Sequence, residues 1–204
     1  MKKIKYIIFD VMGVVFKVGD DTNDLLIPFI LSMKKDVSKE TILSLYKDAS
    51  LGAISARDFW LALGFAANEI MNIQNQYLET CLTLDEEFVE CVMQLKKKYK
   101  IALLSNDVSE WSAYLRKIHD IDQYIDFSFI SSDLGLRKPD PEIYKAALRE
   151  MKAHPSECIF IDDDPERVEA AARLGITAIL FNREGHGYDG IQILSFSGLV
   201  ERLI

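Results

Sequence analysis

The sequence predicts an α/β protein: a doubly wound parallel sheet with a small helical insert after its first strand. Three observations predict it. Short apolar, β-branched runs recur along the chain, stretches of helical period separate most of them, and the first gap is too long for a single crossover helix. Runs that do not alternate polar with apolar suit strands buried on both faces, as in a parallel sheet covered by helices on each side.

The first run, 5–10, follows Met1, Lys2 and Lys3 and so imitates a secretory leader. Asp10 interrupts the apolar stretch Tyr6-Ile7-Ile8-Phe9 and no small-residue cleavage site follows, so a buried strand is expected instead. Beyond it, Leu25, Leu26, Phe29, Ile30 and Met33 share a helical face, and Ile42, Leu45 and Tyr46 continue the period behind Ser38, a good N-cap. Helical stretches over 55–63 and 68–82 complete an insert of residues 17–84, which leaves 1–16 and 85–204 as the core.

In the core, Phe88, Val89, Val92, Met93 and Leu95 mark a helix over 85–99, ahead of a strand at 101–105. Strands are expected at 127–130, 158–162 and 177–181. Helices open at Pro141 and Pro165, since proline suits the first helical position, and Gly175 suits the residue that ends the second of them. The stretch from Gly185 to Gly190 reads as a loop.

Composition narrows the class. A chain of 204 residues, 49% hydrophobic and 27% charged, fits one domain or one domain carrying an insertion, and excludes disorder, collagen and coiled coil as whole-chain descriptions. With 24 Lys+Arg against 32 Asp+Glu the net charge is −8, and the scattered cations give no footprint for nucleic acid. No uncharged run approaches the roughly 18 residues of a membrane span. The three cysteines, Cys81, Cys91 and Cys158, lack CxxC spacing and read as reduced packing thiols, which predicts a cytoplasmic protein. His119, His154 and His186 are too scattered for a metal cluster.

The chemistry lies at the strand ends. Asp10 follows the first strand, Ser105-Asn106 the second, and Asp162-Asp163-Asp164 the fourth, and parallel strands bring all of these to one edge, where ligands of such sheets bind. Gathered carboxylates repel one another unless a cation sits among them, and oxygen ligands without His or Cys suit Mg²⁺ over zinc. Lys138, in the proline-stiffened Lys138-Pro139-Asp140-Pro141, is a cation placed to join them. Asp164 is expected as the N-cap of the helix opening at Pro165.

Four ordered motifs carry a family resemblance: Phe9-Asp10-Val11-Met12-Gly13-Val14-Val15, Leu103-Leu104-Ser105-Asn106, Lys138-Pro139-Asp140-Pro141 with Ile143-Tyr144, and Ile161-Asp162-Asp163 with Pro165-Glu166 and Val168-Glu169-Ala170-Ala171. The chain resembles the haloacid dehalogenase superfamily of aspartate-nucleophile hydrolases. Gly52-Ala53-Ile54-Ser55 with Phe59-Trp60 is similar to the helical cap of the branch that carries its insert after the first motif.

The resemblance implies a Rossmann-like core and a Mg²⁺-dependent hydrolase of a small-molecule phosphate ester. Asp10 would be the nucleophile. Ser105, Asn106 and Lys138 would bind the phosphoryl group. Mg²⁺ would be held by Asp10, the main-chain carbonyl of Met12, Asp163, and Asp162 directly or through water. One position departs from the pattern: most phosphatases of the family carry a second aspartate where this chain has Met12. A thioether exchanges no proton, and general acid–base catalysis contributes roughly 10²- to 10⁴-fold. Two alternatives therefore stand beside the phosphatase: a phosphate-binding or interaction protein that has lost catalysis, and a haloacid dehalogenase, whose branch also lacks the second aspartate but needs no metal. Phe59, Trp60 and Phe65 are expected in the insert's own core, outside the site.

Overall fold

The computed structural model describes residues 3–204, so Met1 and Lys2 of the leader-like segment lie outside the described residues. Strands β1 (Tyr6–Phe9), β2 (Lys100–Ser105), β3 (Phe127–Ile130), β4 (Cys158–Asp162), β5 (Thr177–Phe181) and β6 (Gln192–Ile193) form one sheet in the order β3-β2-β1-β4-β5-β6. Every adjacent pair is parallel. Five of these strands coincide, within a residue or two, with the apolar runs. The sixth escapes periodicity because it has two residues; it is held by Leu180 N–H on Ile191 O (2.9 Å) and Asn182 N–H on Ile193 O (2.8 Å).

Period-two alternation divides the strand residues between two buried faces. Ile7, Phe9, Ile101, Leu103, Ile159, Ile161, Ile179 and Phe181 pack on one side. Ile8, Ala102, Leu104, Cys158, Phe160 and Leu180 pack on the other. Helices α5 (Glu86–Leu95) and α10 (Phe196–Leu203) cover the first face through Phe88 and Phe196. Beyond the one-turn α7 (Ser131–Leu134), helices α8 (Pro141–Met151) and α9 (Pro165–Arg173) cover the second through Ile143, Tyr144 and Ala171. Both helices open on proline, and Asp140 and Asp164 cap them by accepting from Glu142 N and Glu166 N.

Between β1 and β2, a π-helical turn (Thr22–Leu26) leads into α1 (Ile27–Met33), followed by α2 (Lys39–Ser50), α3 (Ala56–Ala62) and α4 (Ile70–Thr80). Ser38 caps α2 by accepting from Thr41 N, as its position predicts. The two connections to the sheet run side by side: Lys17 N–H donates to Thr83 O (3.0 Å) and Asp85 N–H to Val15 O (2.9 Å). Phe59, Trp60 and Phe65 are buried in the same apolar cluster as Ile30 and Ile42. Gln74 Oε1 on α4 accepts both Trp60 Nε1 (3.3 Å) and Trp111 Nε1 (2.7 Å), which ties α3 to α6 (Ser109–Ile118). Among the described residues no helix is long and apolar enough to cross a membrane.

Candidate active site

Strand order reverses at β1, the position where open parallel sheets leave a crevice beyond their carboxyl ends. Register does the rest. Phe9 pairs with Leu103 on one side and Ile161 on the other, so Asp10, one residue later, comes level with Leu104 and Asp162. Asp10 is buried, and its main-chain N–H donates to Ile161 O at 2.8 Å. Burying a carboxylate is costly unless it is paired. Asp10 is paired on both oxygens: Oδ1 accepts from Val11 N (2.7 Å) and lies 2.6 Å from Lys138 Nζ, while Oδ2 lies 3.2 Å from Arg167 Nη1.

Lys138 is as buried as the acids it serves. Its Nζ bridges Asp10 Oδ1 and Asp162 Oδ2, each at 2.6 Å, and lies 5.4 Å from the centre of the Phe160 ring. Two of its three hydrogens are thus taken, leaving one for a ligand. The loop that presents it is gripped by Asn106, whose Oδ1 accepts Lys138 N–H (2.8 Å) and whose Nδ2 donates to Lys138 O (2.9 Å). The amide of Asn106 thus clasps the main chain of Lys138 and keeps a single Nδ2 hydrogen to spare for a ligand. Ser105, at the end of β2, has a buried Oγ with no hydrogen-bond partner among the described residues. A buried hydroxyl left unpaired costs on the order of 1–3 kcal/mol, so a bound ligand that accepts from it would gain by relieving this.

Asp10, Asp162 and Asp163 each offer an oxygen within 4.8 Å of the others, the one metal-holding group of this kind among the described residues. Their surroundings fit a hard divalent cation. Gly13, at φ +83°, and Gly19 together leave room for the Asp163 carboxylate; a Cβ at either glycine would stand 2.0 Å from Asp163 Oδ2. Burial, and then the charge of Asp10, push both Asp162 and Asp163 above the usual carboxylate range, the signature of acids gathered without enough positive charge. Asp162, like Asp10, is engaged on both oxygens, since Oδ2 meets Lys138 and Oδ1 accepts Asp164 N–H at 3.0 Å. Met12 lines the cavity, and the loop that carries it is held by Arg183, which donates to Gly13 O (3.1 Å) and Val14 O (2.8 Å).

A cavity of about 380 Å³ opens over these groups, lined by Asp10, Met12, Ser105, Asn106 and Asp163 from the strand edge and by Asp21, Tyr46, Arg137 and Arg167. The last four escape a reading of the sequence. Tyr46 reaches over from α2 to donate to Asn106 O (3.2 Å), and Arg137 stacks on its ring, 5.7 Å from the centroid, while donating to Ser50 Oγ. Asp21 accepts from Tyr77 Oη at 3.4 Å, and burial, reinforced by Asp10, raises it to about 7. Arg167 did carry a signal. As the third residue of α9 its side chain points back toward the helix N-terminus, and so toward the end of β4.

Asp107, beside the site, is buried with one oxygen accepting Val108 N–H (2.7 Å) and the other without a hydrogen-bond partner among the described residues. Burial, and then Asp21, raise it to about 8, with Val108 N–H, Arg116 and Arg137 opposing. A carboxyl whose folded value lies above its unfolded one keeps a proton that the unfolded chain releases, so its contribution is complete below pH ~4 and is lost as pH rises toward 8. Asp107→Asn should therefore become progressively more stable relative to the wild type from pH 5 to pH 8, by on the order of a few kcal/mol. Urea unfolding at the two pH values measures this, and a constant difference between the proteins would reject it.

His119 packs against Phe16, His154 caps a short 3₁₀ turn by accepting from Ser156 N, and His186 lies next to Glu184, so the three histidines stay apart. Sheet and site together define an α/β protein with a cluster of carboxylates at the switch point. The family pattern of haloacid dehalogenase-like hydrolases matches residues 4–175, and the chain belongs to that family. It is 25% identical over 185 residues to a D-ribitol-5-phosphate phosphatase of Bacteroides thetaiotaomicron, covering 84% of this chain and 89% of that enzyme. It is 30% identical over 122 residues to the bifunctional epoxide hydrolase 2 of Sus scrofa, covering 54% of this chain and only 22% of that protein's length. Among solved structures, it resembles a HAD family enzyme from B. thetaiotaomicron in complex with magnesium and inorganic phosphate, with a TM-score of 0.72 and 21% identity over 91% of this chain and 98% of that one.

Proposed function

We propose that this hydrolase releases phosphate from a small phosphorylated metabolite through an aspartyl-phosphate on Asp10. The observation that carries the reading is the surround of that carboxylate: a Ser105 hydroxyl without a partner among the described residues and a buried Lys138 ammonium with one hydrogen to spare. Asp10 would attack phosphorus as the bond to the leaving oxygen breaks, and the freed alkoxide would take a proton from solvent water. A water would then attack phosphorus as the bond to the Asp10 oxygen breaks, giving its proton to solvent, returning the carboxylate and releasing inorganic phosphate. Ser105, Lys138 and the remaining Asn106 hydrogen would face the phosphoryl oxygens, where preorganised donors act on developing charge. Asp10, the Met12 carbonyl and Asp163 would hold Mg²⁺, with Asp162 behind them. The ion would supply charge neutralisation among the acids and at the phosphoryl group. Similarity to the ribitol-phosphate phosphatase supports a neutral polyol or sugar phosphate. Residues 17–84 would act as the cap, with Asp21, Thr22 and Tyr46 supplying its part of the wall.

The test is phosphate release across a panel of sugar, polyol, nucleotide and small-acid phosphates in Mg²⁺. Turnover of polyol phosphates above the rest is expected, and release from none of them would reject the reading. Met12 favours a second one, a phosphate-binding protein without turnover, because it stands in the cavity wall where no proton can be exchanged. Met12→Asp separates the two. If the missing acid limits hydrolysis, alkyl phosphates, whose leaving groups need the proton, should gain roughly 10²-fold or more, and aryl phosphates much less. Equal gains would discard that account.

A further inference from the structure

Four carboxylate oxygens meet two side-chain cations at the bottom of the cavity. Lys138 Nζ takes Asp10 Oδ1 and Asp162 Oδ2, each at 2.6 Å. Arg167 Nη1 takes the other pair, Asp10 Oδ2 at 3.2 Å and Asp162 Oδ1 at 3.5 Å, and its Nε lies 3.2 Å from Asp164 Oδ2. Each of the two buried acids is therefore bracketed by positive charge on both oxygens. Nothing equivalent reaches Asp163, for which no ion pair is found among the described residues.

A divalent cation shared by Asp10 and Asp163 needs an Asp10 oxygen. Oδ1 already accepts from both Val11 N–H and Lys138, which leaves Oδ2, whose one partner is Arg167, and a metal there would stand against the guanidinium. Lys138 is enclosed, its side chain 0% exposed, and Asn106 clamps its main chain from both sides. Arg167 is 24% exposed, stands on the first turn of α9, and keeps Asp164, itself 38% exposed, as a partner nearer solvent. It can swing outward while its Nε remains paired.

We infer that Arg167 is a resident competitor of the divalent cation: its guanidinium neutralises Asp10 and Asp162 in the metal-free protein and leaves them when the metal enters. This inference rests on the proposed metal site and not on turnover. Two consequences follow from charge alone. Removing the guanidinium strengthens metal binding, because the metal no longer displaces or adjoins another cation. It also makes stability depend on the metal, because buried acids left unpaired are strongly destabilising.

The experiment is calorimetric titration of the whole purified chain with MgCl₂, alongside melting temperatures in EDTA and in saturating Mg²⁺. Arg167→Met and Arg167→Gln should bind Mg²⁺ at least tenfold more tightly than the wild type, and Arg167→Lys, which keeps the charge, should stay within threefold. In EDTA the two neutral variants should melt below the wild type, and saturating Mg²⁺ should close most of that gap. Two neutral substitutions keep the test available if one of them fails to fold. Equal or weaker Mg²⁺ binding by a folded neutral variant overturns the inference while leaving the metal site standing, and so does an equal gain in the lysine variant. Absence of Mg²⁺ binding in every protein, the wild type included, removes the metal site and the inference with it, whatever the phosphatase assay shows.

Discussion

Asp10→Asn should abolish phosphate release from p-nitrophenyl phosphate in Mg²⁺, by about four orders of magnitude or more, as for other enzymes that lose the attacking group. Asparagine has nearly the shape of aspartate, so the Val11 N–H can still be accepted, but an amide oxygen is a poor nucleophile toward phosphorus. The fold should survive. Lys138 and Arg167 each keep Asp162 as a partner when Asp10 loses its charge, at 2.6 Å and 3.5 Å. The aryl substrate is the informative one, since its leaving group needs little protonation and the Met12 deficit does not mask the result. A folded variant that retains activity within tenfold of the wild type would remove Asp10 from the nucleophile's role and the aspartyl-phosphate with it.

Lys138→Met should produce the largest loss of stability. Lysine and methionine have similar length, so little cavity forms and the effect isolates the charge. Deleting one partner of a buried ion pair leaves the others uncompensated and costs about 3–5 kcal/mol. Here two acids, Asp10 and Asp162, lose the same cation, both at 2.6 Å and both buried. For a domain of this size that corresponds to a fall in melting temperature of roughly 6–20 °C. Thermal unfolding in EDTA is the measurement. A melting point within about 2 °C of the wild type would mean that Lys138 does not neutralise these carboxylates. The comparison with Arg167→Met separates the cations: the lysine holds the fold whether or not metal is present, whereas the arginine matters only until metal arrives.

The sheet was legible because its signals are local. Unalternating apolar runs mark strands buried on two faces, and residues such as Ile7 and Ile8 do go to opposite faces of the sheet. Proline at 141 and 165 and aspartate at 140 and 164 announce helix starts through chemistry confined to one turn. The site needed no more than three strands: Asp10 follows β1, Ser105 ends β2 and Asp162 ends β4, and parallel pairing sends all such ends the same way. β6 had no comparable signal. Two residues show no period, and their pairing depends on Leu180 and Asn182 already lying alongside.

By itself, then, the order of residues determined the α/β alternation, the edge at which polar groups gather, and which carboxylates and which lysine gather there, because strand period and helix capping are short-range signals and the alternation they reveal implies parallel strands whose carboxyl ends share one edge. Tertiary structure alone decided how those groups are used. Asn106 grips Lys138 across 32 positions, and Arg167 reaches Asp10 across 157, and no local rule states which hydrogen of an amide or which face of a guanidinium will be taken. Tyr46 and Asp21 enter the cavity only because the helices between β1 and β2 pack back over the strand ends. Directions of side chains at such separations are set by close packing of the whole chain, where each contact exists only when the others do.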